Sequence, residues 1–119
     1  MTHMDTGTRR QAVSDLIELR RPLEEAITTL QQYPWDSEEE LVEFGSSELL
    51  HALDSFLIGA LSAEQLEAWA NAVEGRDDIG FRPSTLIDLV AELANPMLFS
   101  PLTHESIQQI MNRLPAIDG

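Results

Sequence analysis

The chain has 119 residues, 43% of them apolar, with 21 acids against seven bases and a net charge of −14. Such a chain makes one domain with one core, is too apolar to stay disordered, and is too acidic to be drawn to nucleic acid or to anionic membrane faces. Cysteine is absent and all seven bases are arginine, which excludes disulfides, thiolate chemistry, cysteine zinc sites, Schiff-base lysines and the lysine of a phosphate loop.

Residues 1–7 show no periodicity and are expected to form a flexible arm ahead of a helical domain over 8–115. The amine of Met1 together with His3 has the spacing of a copper- or nickel-binding tail, although most such tails are incidental. The polar start lacks the apolar core of a secretory signal, and no apolar run approaches the roughly 20 residues that span a bilayer. A cytoplasmic protein is expected.

From Thr8 the pattern turns helical. Ala12, Leu16, Leu19, Leu23, Ala26, Leu30 and Tyr33 recur at spacings of four and three, the apolar seam of a helix that packs against others. Pro22 inside the seam removes the hydrogen bond to the Glu18 carbonyl. Because the seam stays in phase on both sides, one kinked helix is expected.

Tyr33-Pro34-Trp35 breaks that helix, and Trp35 either anchors a partner or folds back onto the core. Ser37 and Glu40 stand in capping-box register and announce a short helix, with Glu38, Glu39 and Glu40 in a first turn where the macrodipole favours negative charge. Gly45-Ser46-Ser47 interrupts it. The next helix carries Leu49, Leu50, Leu53, Phe56 and Leu57 on one face and stops at Gly59. A second capping box, Ser62 with Gln65, opens a helix that buries Leu66, Trp69, Ala70 and Val73 before Gly75 ends it.

A loop follows from Arg76 through Gly80 and Pro83. Residues 84–94 are apolar around most of their circumference, as a central helix would be, with Asp88 and Glu92 left to face water. Asn95-Pro96 stops this helix. Thr103 caps the last one, which contains Ile107, Ile110, Met111 and Leu114 and is closed by Pro115. No stretch alternates with period two for long enough to suggest a strand. The expected fold is therefore all-α, a single antiparallel bundle of five to six helices in which Leu53, Phe56, Leu66, Trp69, Val73, Leu89, Val90 and Leu93 share one core.

Charge is concentrated between Asp36 and Asp78, where twelve acids stand with one base, Arg76, a net −11 of the chain's −14. Glu64, Glu67 and Glu74, followed by Asp77 and Asp78, lie opposite the Leu66/Trp69/Val73 face and form an acidic stripe. The stripe is either an ordinary solvated helix face or a docking surface for a basic protein. His51 and His104 lack the paired spacing of a metal site. Nucleophile elbows, phosphate loops and glycine-rich dinucleotide turns are missing. No catalytic, metal or cofactor-binding residue is assigned.

Glu39-Glu40-Leu41-Val42-Glu43 and Glu74-Gly75-Arg76-Asp77 resemble the carboxylate motifs of the all-helical nucleoside triphosphate pyrophosphohydrolases. That resemblance implies magnesium held by four carboxylates on two adjacent helices. Three features depart from it. A whole helix separates the two motifs, Glu74 and Asp77 straddle a helix end, and no lysine is present to grip a triphosphate.

Phe56-Leu57-Ile58-Gly59-Ala60-Leu61-Ser62-Ala63-Glu64-Gln65-Leu66-Glu67, followed by Arg76-Asp77-Asp78, resembles small acidic helical bacterial proteins grouped with the colicin-type immunity proteins. It covers about residues 47–80 and departs from their pattern at Gln65-Leu66. The resemblance implies an acidic protein that blocks a cationic nuclease-like toxin. The leading expectation is a non-catalytic module of immunity or antitoxin type, binding a basic protein and no nucleic acid or membrane through Glu64, Glu67, Glu74, Asp77 and Asp78. The alternatives are the magnesium pyrophosphohydrolase and a structural or regulatory module that works by homo-oligomer packing.

Overall fold

The structure is a computed structural model and describes residues 6–114. Six helices and two short strands follow in the order α1 (Thr6–Ile17), α2 (Leu23–Leu30), β1 (Val42–Phe44), α3 (Ser46–Leu57), α4 (Ala63–Val73), β2 (Ile79–Phe81), α5 (Leu86–Ala94) and α6 (His104–Asn112). The helical character expected from the sequence is present, but the chain is neither strictly all-α nor an antiparallel bundle. β1 and β2 pair in parallel, with Val42, Glu43 and Phe44 opposite Ile79, Gly80 and Phe81. Parallel strands need a long crossover, and here α3 and α4 together supply it.

Pro22 does not kink one helix; two helices flank it. α1 closes with the Arg20 amide donating to the Asp15 carbonyl at 3.0 Å and the Leu19 amide to that of Leu16 at 3.2 Å. Leu19 takes the left-handed conformation this closure requires, at φ +55°. Glycine usually fills that place, and an L-residue there costs about 1–2 kcal/mol. Pro22 then stands at the N-cap of α2, where its carbonyl accepts from the Ala26 amide at 3.0 Å and its missing N–H breaks nothing. The seam keeps its phase because both helices bury it: Ala12, Leu16, Leu23, Ala26, Leu30 and Tyr33 all lie in the core.

The helix expected after Ser37 is absent. The Ser37 hydroxyl donates to the Glu39 carbonyl at 2.6 Å instead of capping a helix, and the chain runs extended into β1. The amides of Leu41 and Val42 both donate to the Asp78 carbonyl, at 2.8 and 3.2 Å. Phe44 is fully buried at the strand's end, its ring 5.0 Å from that of Phe81 and 5.8 Å from that of Trp69.

The other local signals give the expected elements. The Ser62 hydroxyl accepts from the Gln65 amide at 3.1 Å while the Gln65 side chain accepts from the Ser62 amide at 2.9 Å. Thr103 and Ser106 make the equivalent reciprocal pair at the start of α6. Gly59 and Gly75 end α3 and α4 at φ +86° and +82°. Leu53, Phe56, Leu66, Trp69, Val73, Leu89, Val90 and Leu93 belong to one core. Trp69 sits at its centre, wholly buried, with Nε1 donating to the Leu16 carbonyl at 2.9 Å. That single bond ties α4 to the end of α1.

α4 packs most extensively on α5, α1 on α2, and α3 on α6. Arg113 reaches from the end of α6 to Glu92 of α5 through two N–H donors, at 2.9 and 2.6 Å. No described helix is long and apolar enough to cross a membrane. The Met1–His3 pair, most of the expected 1–7 arm and the closing Pro115 lie outside the described residues; α1 itself starts at Thr6, two residues ahead of the expected domain boundary.

Candidate docking surface

The acidic stripe is built by α4 and the turn that follows it. Burying Leu66, Trp69, Ala70 and Val73 turns the opposite side of the helix outward. Glu64 is exposed there, while Glu67 and Glu74 are half-buried along its edge. Asn71 stands between them, and its amide nitrogen donates to the carbonyls of Glu67 at 3.0 Å and Ala94 at 3.4 Å, fixing that edge to the end of α5. Asp77 is exposed in the turn. None of these four carboxylates forms an ion pair with a described residue.

Asp78 has to be withdrawn from the exposed face. Its side chain is fully buried. Arg76 grips it with two N–H donors, Nε on Oδ1 and Nη2 on Oδ2, each at 3.0 Å. Arg9 adds a third, Nε on Oδ2 at 3.0 Å. A carboxylate removed from water needs this many charge-assisted donors to offset its desolvation.

The remaining donors of the two arginines sew the neighbouring loop down. Arg9 Nη2 donates to the carbonyls of Pro34 and Asp36, both at 2.9 Å, and Arg76 Nη2 to Pro34 at 3.1 Å. Each guanidinium also lies over an aromatic ring, Arg76 at 5.0 Å from the centre of Trp35 and Arg9 at 5.8 Å from that of Tyr33. Trp35 thus neither leaves the domain nor enters its core: it lies across Arg76 with about half of its surface still in water. No described buried side-chain polar atom is left without a partner.

This internal pairing sharpens the external charge. The only base of the 36–78 segment is turned inward onto one of its acids, so both leave the surface together. Eleven carboxylates remain there, exposed or half-buried, with no cation of the segment among them.

Two hollows border this surface and share Arg76 as part of their walls. The larger, about 580 Å³, runs between α2 and α4, floored by Ile27, Leu30, Ala68 and Ala72 and walled by Tyr33 and Trp35. The smaller, about 270 Å³, lies under Glu74 and Asp77, with Glu40 on its border and Ile79, Phe81 and Val90 as its apolar lining.

The carboxylate motifs that resemble a magnesium site are only partly brought together. Glu39 lies in a bend, Glu40 in the loop after it and Glu43 in β1, so they do not share a helix face. Glu40, Glu74 and Asp77 border the smaller hollow, whereas Glu39 and Glu43 do not. Glu40 is paired with Arg82 at 2.7 Å. No group of three or more described carboxylates or histidines is arranged to hold a metal ion. His51 is exposed, and the His104 ring packs edge-on against Phe56 at 5.5 Å.

No family model matches the chain, and neither the curated proteins nor the solved structures searched contain a match.

Proposed function

We propose that the chain is a non-catalytic docking module, working in the cytoplasm, whose α4 face binds a basic protein. The observation that carries this function is the inward turn of Arg76 and Arg9 onto Asp78, which leaves the 36–78 segment with no arginine of its own at the surface beside its carboxylates. An excess of like charge costs stability through self-repulsion, and a cationic partner would relieve it. Glu64, Glu67, Glu74 and Asp77 steer and orient that partner, while the groove between α2 and α4 supplies apolar contact beside them. The resemblance to colicin-type immunity proteins agrees with this and suggests a nuclease-like toxin as the basic partner.

The test is affinity capture from the source cell with the wild-type chain and with the double variant Glu67→Arg/Glu74→Arg. Neither side chain belongs to the core, so the variant should fold and give the wild-type circular dichroism. A bound basic protein that the variant fails to retain supports the docking face. Equal capture by both chains would contradict it.

A second reading, homo-oligomer packing, draws on a different observation. Met97, Leu98 and Phe99, between α5 and α6, are 98%, 79% and 54% exposed, and three adjacent apolar residues in water are unusual on a monomer. The seam of α1 and α2 offers no such surface, because the domain itself buries it. Light scattering of the wild type against the triple serine variant of 97–99 distinguishes a self-associating chain from a monomer.

A further inference from the structure

We propose that the smaller hollow is a socket for one arginine side chain of the basic partner, an inference that rests on the docking function and names its central contact. The hollow is two-toned. Ile79, Phe81 and Val90 line it together with Arg76, and half-exposed Ile87 adds to the lining, while Glu40 borders it from the segment before β1 and Glu74 and Asp77 from the turn between α4 and β2. At about 270 Å³ it falls below the roughly 300–1,000 Å³ of sites that enclose drug-sized ligands, and its scale suits a single long side chain. An aliphatic stem would cover the part of Ile87 that remains in water, 46% of its surface, and a cationic head would meet the carboxylates.

The arrangement of acids favours a guanidinium. No three of them are close enough to hold a metal ion, so a compact point charge is poorly served. A planar head with five diverging N–H donors can reach carboxylates that stand apart. Arg76, part of the hollow's wall, is spent on Asp78. Arg82 occupies only Oε1 of Glu40, and Oε2 takes no hydrogen bond from a described residue.

Gly80 sets where Glu40 stands. The Glu40 carboxylate lies over Gly80 of β2, in the space a Cβ would fill. Any side chain at position 80 would push the carboxylate away, and because Glu40 is exposed and flexible the shift would be cheap for the fold. Glu40 is thereby a positioning element of the socket that can be displaced without being mutated.

The probe is n-propylguanidinium, an arginine side chain without its backbone, titrated into the 15N-labelled protein and followed by amide chemical shifts. The expected result is saturable shifts confined to Gly75, Asp77, Gly80 and Ile87, weaker for n-butylammonium and weaker again for guanidinium, which has no stem. Each carboxylate removed, in Glu74→Gln and Asp77→Asn, should raise the Kd by roughly two- to fivefold. Gly80→Ala should raise it by about the same factor while keeping the wild-type melting curve. Shifts that do not saturate, that spread equally over Glu64 and Glu67, or that persist unchanged in the three variants would overturn the socket. The titration needs no partner protein, so its failure falls on the socket alone, whereas equal capture by the charge-reversed chain falls on the docking face.

Discussion

Asp77 and Asp78 are adjacent and chemically identical, and the structure requires them to behave in opposite ways. Asp78→Asn removes the one negative charge between two arginines and replaces one carboxylate oxygen by an N–H₂ that faces guanidinium donors. Three charge-assisted hydrogen bonds at 3.0 Å are affected. The Arg76 side chain, 3% exposed, meets little water, while that of Arg9 is 14% exposed and can rehydrate in part. Breaking a buried pair from one side costs about 3–5 kcal/mol. The partial escape of Arg9 places this case near the lower end, at about 3 kcal/mol. With a urea dependence of about 2 kcal/mol per molar, the unfolding midpoint should fall by about 1.5 M. Asp77→Asn, at an exposed site, should stay within about 0.5 kcal/mol of the wild type. Equilibrium urea unfolding followed by tryptophan fluorescence reads both variants, since Trp35 lies against Arg76 and Trp69 fills the core. Coincident midpoints for the two variants would refute the internal Arg-Asp-Arg pairing and return Asp78 to the surface.

Trp69→Ala should cost about 3–5 kcal/mol, chiefly from the cavity, since the Leu16 carbonyl keeps the Leu19 amide as a donor; an unchanged melting temperature would overturn the core. Glu18 carries a pH signature. Its carboxyl is held below the ordinary 4.5, chiefly by the Ser14 hydroxyl and then, against a desolvation that raises it, by Arg20 and His51. A carboxyl depressed in the folded state contributes stability that is complete above its unfolded value and fades as pH falls through the folded one. Glu18→Gln should therefore be less stable than wild type at neutral pH, and the two should converge in acid below that range. A difference that grows on acidification would contradict the assignment.

The parts of the fold written in local signals were legible in the sequence. Ser62 with Gln65, Thr103 with Ser106, and the glycines after α3 and α4 mark helix ends whose hydrogen bonds close within a few residues, and the i, i+3, i+4 apolar spacing gave the faces and the core. What escaped was non-local. β1 and β2 are three residues each, and Val42 meets Ile79 across two intervening helices. Three residues are too few for a period of two to stand out. The same pairing defeated the capping-box pattern of Ser37 and Glu40: the segment has little apolar surface to support a helix, and its amides find the Asp78 carbonyl instead. Leu19 hid the end of α1 because the left-handed closing residue is not glycine.

Of the candidate site, Glu64 and Glu67 followed from helix geometry, and Glu74 and Asp77 from the helix end marked by Gly75. Asp78 did not, because the Arg9 that helps to bury it lies 69 positions away. Glu40 reads in the sequence as a capping-box partner of Ser37 and as part of a metal motif, and its place beside Glu74 and Asp77 depends on Gly80 and on strand pairing that no local pattern announced.

The central claim is that exposed carboxylates on α4 and its following turn attract a basic protein. It is tested most directly by the association rate constant of the captured partner, measured by stopped flow across a series of salt concentrations. At low ionic strength the rate should be steered well above the neutral range of about 10⁵–10⁶ M⁻¹s⁻¹ and fall steeply toward about 1 M salt, where the Debye length is near 3 Å. Glu67→Arg/Glu74→Arg should flatten that dependence. A rate that is the same at low and high salt, and the same for both chains, would contradict the claim and leave the stripe as a solvated helix face.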